Sequence, residues 1–467
     1  MQDVLIYNVR LVDEHTDTEG ALLVRDGRIF KTFSGPVKKH AQVLQIIDKD
    51  DDVQLYDGRG LVLMPAFIDM HVHFRYPGQT EKEDLNTGLH AAVAGGYGTV
   101  VAMPNTKPVV SAIEQVLSID REAAAYGLAA LYQTCSLTAG FSGTDVSHLE
   151  KLDAERVPVI TEDGRDVPSP VTMLEVMRKA ARKGIIVSCH SEDTALAAAA
   201  RPWREKALAL MKTYHIPAWG AAVDTARIPQ AMLSSINESL AEANRLLALA
   251  EDIATERNLA LAAAAGCRVH IAHVSTRRSL EAVCRARQER GAEFVSCEVT
   301  PHHFALDGME PPLLYALVNP PLRSSADREF LVKGLCSGAA DVISTDHAPH
   351  TAADKAAGAP GFTGIETAFA VSNTVLVKSA DDVPGPADLK VLSRCMSAAP
   401  ARILRLRKGL LQEGYDADLV LVNPDERWTV DSAQFVSKGK ATPFNGKKVR
   451  GKVHVTFIGG KTVYIAP

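Results

Sequence analysis

The sequence predicts an α/β fold, a (β/α)8 TIM-like barrel carrying a small β-sandwich domain built from both termini. Three observations lead there. Eight apolar, strand-like runs recur through the middle of the chain, with helical segments between most of them, the pattern of parallel βαβ units. Both ends of the chain are β-rich while the middle is not, so a single small domain assembled from the two ends is the economical arrangement. Chemistry-capable side chains gather at the C-terminal ends of the central strands, where barrel enzymes carry their sites.

Residues 1–60 supply the first part of the small domain. VLIYNVRLV and ALLVRDGRIF are apolar and β-branched, and Asp26-Gly27 marks a hairpin turn. Residues 61–400 form the barrel. Its strands are expected in LVLMPAFIDMHVHF, TVVAMPN, LYQTCSL, VPVITEDG, IIVSCHSED, RVHIAHVST, FVSCEVTPHH and DVISTDHAPH. The first helical segment, EKEDLNTGLHAAVAGG, has Thr80 as its expected N-cap, Glu83 as capping-box partner and Gly95-Gly96 at its end. VTMLEVMRKAARKG reads as another helix. Residues 197–246 form an Ala-rich helical insertion between strands five and six and hold Trp203 and Trp219. Residues 401–467 return to strands, in DADLVLVNP, RWTV and KVRGKVHVTFIGGKTVYIA, with Gly459-Gly460 as a turn. No internal repeat or low-complexity segment interrupts the pattern.

Composition narrows the function. With 467 residues, 46% hydrophobic and 23% charged, the chain has room for one large domain and a smaller one. A formal net charge of −5 gives no basic footprint, so nucleic acid is not an expected partner. MQDVLIYNVRLVDEH has charges where a signal peptide needs an apolar core. The apolar runs are too short or too interrupted for a membrane span. Seven cysteines without a CxxC pair point to a reducing compartment and away from a disulfide framework or structural zinc ribbon. A cytoplasmic enzyme is the expectation.

Strand one ends with His71, His73 and Arg75, strand two with Asn105, strand four with Asp163, strand five with His190, strand six with His273 and strand eight with Asp346. Residues two apart on a strand share a face, so His71, His73 and Arg75 can all address the barrel axis. The H-x-H pair alone reads equally well as part of a buried strand. His270, His302 and His303 read as hydrogen-bonded core residues, as do His90, His148, His215 and His454. Of His270 and His273, three apart, a regular strand would turn only one inward. Cys189 should point away from the side of His190, as a small buried residue. Four imidazoles and two carboxylates exceed one tetrahedral zinc and fit two divalent ions sharing a bridging carboxylate. The thiol-free set suits zinc, with manganese, cobalt and nickel compatible by ligand type.

These residues lie in DMHVHFRYPG, AGGYGTVVAMPNTKPV, TEDG, HSED, HIAHVST, CEVTPHH, NPPLR, STDHAPH and GIETAF. In these motifs, and over nearly its whole length, the chain resembles the dihydroorotases of the amidohydrolase superfamily, the bacterial type with an aspartate metal bridge. The resemblance implies that His71 and His73 bind one metal, that Asp163 bridges, and that His190 and His273 bind a second. It implies that Asp346 binds the first metal and acts as general base. Arg75, Asn105 and His350 would hold the substrate carboxylate, Asn319 would contact the pyrimidine ring, and Pro360 and Gly361 would offer backbone contacts. It further implies one or two zinc ions per subunit, the ligand count favouring two. The activity implied is the reversible cyclisation of N-carbamoyl-L-aspartate to dihydroorotate in de novo pyrimidine biosynthesis. A homo-oligomer, a dimer, and association with aspartate transcarbamoylase are compatible with it.

The chain departs from the family pattern in three places. Glu162 stands where similar dihydroorotases have an aspartate, the His190–His273 gap is longer, and GAPGFTGIET looks one residue shorter than the usual loop. The segment 349–364 reads either as a cover over the site or as a plain surface loop. Two rival readings stand beside dihydroorotase. Another cyclic amidase, such as an allantoinase or hydantoinase, would generally lack the arginine after H-x-H and would carry a lysine on strand four. A catalytically silent scaffold for aspartate transcarbamoylase would have lost ligands.

Overall fold

The computed structural model describes residues 3–37 and 53–467. The part of the 1–60 segment from 38 to 52 lies outside the described residues. Strands β1 (Asp3–Val12), β2 (Asp17–Arg25), β3 (Arg28–Ser34), β4 (Val53–Asp57) and β5 (Val62–Pro65) come from the N-terminal side. The barrel strands follow as β6 (Phe67–Val72), β7 (Tyr97–Ala102), β8 (Ala130–Gln133), β9 (Val159–Thr161), β10 (Ile186–Cys189), β11 (Val269–Ile271), β12 (Val295–Val299) and β13 (Val342–Ile343). Strands β14 (Leu419–Thr429), β15 (Lys448–Ile458) and β16 (Lys461–Ile465) complete the chain. The longer helices are α1 (Leu85–Ala94), α2 (Ile113–Ala124), α3 (Pro170–Lys183), α4 (Thr194–Thr213), α5 (Gln230–Ala265), α6 (Arg277–Arg290), α7 (Ser325–Ser337) and α8 (Ala368–Leu376).

The eight central strands are parallel and run in chain order, β6-β7-β8 and β9-β10-β11-β12-β13. Single parallel bridges, Cys135 with Ile160 and Val72 with His347, join the two arcs into a closed (β/α)8 barrel. β6, β7 and β10 are buried along their whole length, as expected where helices cover the outside of a parallel barrel. Cys189 packs into the apolar layer with Val187, Leu259 and Val269, on the opposite side of β10 from His190.

Strands from both ends of the chain meet in one sheet, ordered β16-β15-β14-β5-β1-β2-β3 with β4 on β1. β1 is parallel to β4 over its first half and to β5 over its second. Val4, Ile6, Leu22, Ile29, Leu63, Leu421 and Phe457 share one core, and Ala417 links the β2–β3 turn to the β15–β16 turn, its N–H donating to Gly27 O at 2.9 Å and its O accepting from Gly460 N at 2.9 Å. The sheet is thereby folded over on itself. Both expected hairpin turns are present, and Asp26, Gly27, Gly459 and Gly460 all have left-handed φ, as type I′ turns require.

Two local expectations change. LVLMPAFIDMHVHF is two strands: Val62–Pro65 pairs with β14, Phe67–Val72 pairs with β7, and the Ala66 N–H donates to Asp418 O at the crossing. α1 is capped by Asp84, whose side chain accepts from Thr87 N while Thr87 answers to the cap backbone. Thr80 and Glu83 do not form the cap. Glu83 is fully buried and takes hydrogen bonds from Thr87 and Ser437, with His347 Nε2 at 3.5 Å. A buried carboxylate needs such partners, and they outweigh a local capping role.

Candidate metal centre and active site

β6 ends at Val72, and the chain then delivers His73 and Arg75 over the mouth of the barrel. The C-terminal ends of the strands enclose a cavity of about 230 Å3. It is lined by His73, Arg75, Asn105, Asp163, Gly164, His190, His273, Asn319, Asp346, Ala348, His350, Pro360 and Gly361. His71 lies beneath, its Nε2 at 3.1 Å from Asp163 Oδ1 and 3.6 Å from Asp346 Oδ1. The structure thus brings all the expected site residues to one place, His71 below the floor and the others in the lining.

The polar contacts are close. His73 Nε2 is 3.1 Å from Asp346 Oδ1 and 3.4 Å from Asp163 Oδ2. His190 Nδ1 is 2.9 Å from His273 Nε2 and 3.5 Å from Asp163 Oδ1. His71, Asp163 and His273 form one group whose ligand atoms lie within 4.8 Å of one another, and His71, His73 and Asp346 form a second. His71 Nε2 is buried without a hydrogen-bond partner. An orphaned imidazole nitrogen among carboxylates fits a divalent cation, and the nitrogen and oxygen donors suit zinc. Burial alone would disfavour charge on Asp346, but the His73 hydrogen bond and the neighbouring imidazoles bring its pKa down to about 2, so it is an anion at neutral pH.

Residues outside the expected set orient these groups. Glu298, fully buried on β12, accepts from His71 Nδ1 at 2.7 Å and from the His273 backbone N–H at 3.2 Å, and lies 3.2 Å from His270 Nε2. Its contact with His71 Nδ1 turns Nε2 toward the centre, the usual device for aiming a ligating imidazole. The expectation that only one of His270 and His273 faces inward assumed a regular strand, and β11 stops at Ile271, with His273 at a φ of +30°. The His270 ring lies against Glu298, while the His273 ring meets His190 in the cavity lining. Asp69 accepts from Thr345 N, Thr345 Oγ1 and His71 N, tying β6 to the turn that carries Asp346. CEVTPHH and FIDMH contain both carboxylates, and a charged residue inside an apolar strand run was the available signal.

Asn105 lines the cavity, but its amide is already engaged. Oδ1 faces His73 Nδ1 at 3.0 Å and Nδ2 donates to Asp163 Oδ2 at 3.2 Å. Glu162 points away from the centre and accepts from the Thr138 backbone and hydroxyl, which leaves Asp163 as the central acid. Arg75 donates to Pro349 O at 3.2 Å and lies 3.3 Å from His350 Nε2. Among the described residues no carboxylate lies within ion-pair distance of it. Burial lowers the Arg75 pKa to about 10. His350, which faces Arg75, is held neutral by burial and that charge, at about 3. His270 and His303 are hydrogen-bonded core residues, as expected, whereas His302 Nε2 is buried without a partner.

The model of the amidohydrolase family matches residues 62–463. A dihydroorotase of Clostridium botulinum (strain Eklund 17B / Type B) is 35% identical over 463 residues, 99% of each chain. A dihydroorotase of Caldanaerobacter subterraneus subsp. tengcongensis is 35% identical over 457 residues, 95% of this chain and 97% of its own. Among solved structures, the L-hydantoinase (dihydropyrimidinase) from Arthrobacter aurescens superposes with a TM-score of 0.80 at 23% identity, covering 100% of this chain and 98% of its own. The dihydropyrimidinase from Brevibacillus agri NCHU1002 gives 0.76 at 21%, covering 99% and 95%. At those identities the structural neighbours speak to the barrel fold alone.

Proposed function

The chain belongs to the amidohydrolase family, and from that premise we propose that it is a dihydroorotase, interconverting dihydroorotate and N-carbamoyl-L-aspartate in de novo pyrimidine biosynthesis. Full-length identity to dihydroorotases supports the reading. The observation that carries it is Arg75. Its guanidinium faces the cavity beside the histidine and aspartate cluster with only a carbonyl and a neutral imidazole as partners. A cation left so is costly unless the substrate brings an anion, and a guanidinium can grip a carboxylate with two parallel hydrogen bonds. Dihydroorotate has such a carboxylate, whereas hydantoin has none.

His71, His73, Asp163, His190, His273 and Asp346 would hold one or two divalent ions, which we assign as zinc. When bound, such ions make water nucleophilic at neutral pH and polarise an amide carbonyl. The residues of the chain do the rest. Arg75, with His350 beside it, fixes the substrate carboxylate, and Pro360, Gly361 and Asn319 face the ring. Asp346 takes the proton of the attacking water at a carboxylate oxygen and returns it to the ring nitrogen as the C–N bond breaks. Water oxygen ends on the carbonyl carbon and the proton on nitrogen, giving N-carbamoyl-L-aspartate. In the biosynthetic direction the same groups expel water and close the ring. The division into a catalytic barrel and a terminal sheet, and a cytoplasmic homodimer able to associate with aspartate transcarbamoylase, belong to the same reading. No helix among the described residues is long and apolar enough to cross a membrane.

The decisive assay offers metal-loaded protein dihydroorotate, hydantoin and allantoin in parallel. Dihydroorotate should be hydrolysed far faster than the others. Turnover of hydantoin or allantoin with dihydroorotate ignored would overturn the assignment.

A further inference from the structure

The insertion between β10 and β11 packs against the ring side of the cavity. Met211 and Ile216, on and just after α4, and Ile236 and Leu240 of α5 share a core with Leu314, Tyr315 and Leu317, just ahead of Asn319. The Leu317 N–H donates to Ala218 O at 3.1 Å, and Leu317 O accepts from Gly361 N at 3.0 Å. Gly358 lies so close to α4 that a Cβ there would fall 2.6 Å from Leu208 Cδ2. One insertion therefore backs both segments, 313–319 and 358–361, that form this wall.

From α4, Arg204 reaches into that wall. Its Nη1 donates to Asn319 Oδ1 and its Nη2 to Val318 O at 3.2 Å. A guanidinium only donates, so the Asn319 atom it holds must be the oxygen, because the flipped amide would set N–H against N–H. The NH2 end of Asn319 is left for the cavity that this residue lines. Arg204 has no carboxylate within ion-pair distance among the described residues, and its Nε is buried without a partner. A charge so incompletely satisfied is a poor packing element, and packing alone does not account for it.

We propose that Arg204 is a positioning residue: by holding Asn319 Oδ1 it presents the Asn319 NH2 group to a carbonyl oxygen of the substrate ring. The proposal rests on the dihydroorotase reading for the identity of that ring. It also gives the 197–246 insertion a task, the bracing of the substrate wall.

The test is a double-mutant cycle with Arg204→Met, Asn319→Ala and the combined variant, read by kcat and KM for dihydroorotate, metal content and melting temperature. Loss of a hydrogen bond from a charged donor should raise KM about tenfold or more in Arg204→Met, with kcat within about threefold. The combined variant should be no worse than Asn319→Ala, because the two residues act as a unit. Arg204→Lys keeps the charge without the fork and should give an intermediate KM, which also guards against a methionine variant that fails to fold. An unchanged KM in Arg204→Met, additive effects in the combined variant, or a wild-type KM in Arg204→Lys would each overturn the proposal. If the wild type processes another cyclic amide and not dihydroorotate, the functional reading falls, and the same cycle on that amide still decides the role of Arg204.

Discussion

Arg75, His273 and Asp346 hold left-handed backbone conformations, with φ of +57°, +30° and +46°. Each such non-glycine residue costs about 1–3 kcal/mol and persists only where its surroundings over-determine it. Here the surroundings are visible: Thr345, next to Asp346, is pinned by Asp69, and His273 by Glu298. On the proposed mechanism Asp346→Asn removes the proton acceptor and should lower kcat by about a thousandfold or more, measured with dihydroorotate; a near-normal rate would take the role from it. Arg75→Met should act chiefly on KM, and an unchanged KM would remove the carboxylate pocket. Glu298→Gln weakens the acceptor that aims His71, so metal affinity should fall about 10–100-fold, as read by competition with a chelating dye. That these histidines and aspartates would gather at one place was legible because period-two spacing and strand-end placement need only local sequence. For Glu298 the only local signal was a charge inside an apolar run, and its role was hidden because its partner His71 lies 227 positions away.

At the scale of elements, the segment 349–364 is held by a buried lysine. Lys355 is 1% exposed, and its Nζ donates to Ala359 O at 2.7 Å and Gly361 O at 2.9 Å, 5.4 Å from the Phe362 ring. Burial lowers its pKa to about 7, below the ordinary lysine value of about 10.4. Below about pH 7 folded and unfolded chains both carry the ammonium, and its burial cost is present in full. Between about pH 7 and 10 the folded chain releases the proton while the unfolded chain keeps it, so stability rises with pH. Urea unfolding at pH 6.5 and 9.5 should show that rise in the wild type relative to Lys355→Met; parallel behaviour of the two would refute it. The misplaced helix cap teaches the converse lesson. Thr80 and Glu83 satisfied the local capping rule, yet Glu83 is claimed by Ser437 and His347, from elements no local window includes. The eight barrel strands were legible because each is a short, mainly apolar and buried run with a helical segment between most of them. The division of LVLMPAFIDMHVHF was not, because only Ala66 separates the two strands and it is their pairing partners that tell them apart.

For the whole molecule, the candidate metal centre is a junction. His71, Asp163, His190, His273 and Asp346 come from five different barrel strands or the turns after them, so ions held there would link much of the barrel wall. A ligand that binds only the folded state adds to its stability, and chelation should therefore lower the melting temperature, with zinc restoring it; identical melting curves would count against bound metal. The terminal sheet makes a second junction, with β5 held between β1 and β14. The pairing of Val62 with Val422 has a consequence in time. At typical synthesis rates of about 5–20 residues per second, β14 leaves the ribosome roughly 20–70 s after β5. Through that interval β5 has one edge unpaired, and an open strand edge invites association with other chains. The nascent chain's exposure to misassembly is therefore set by how long the ribosome takes to translate the barrel.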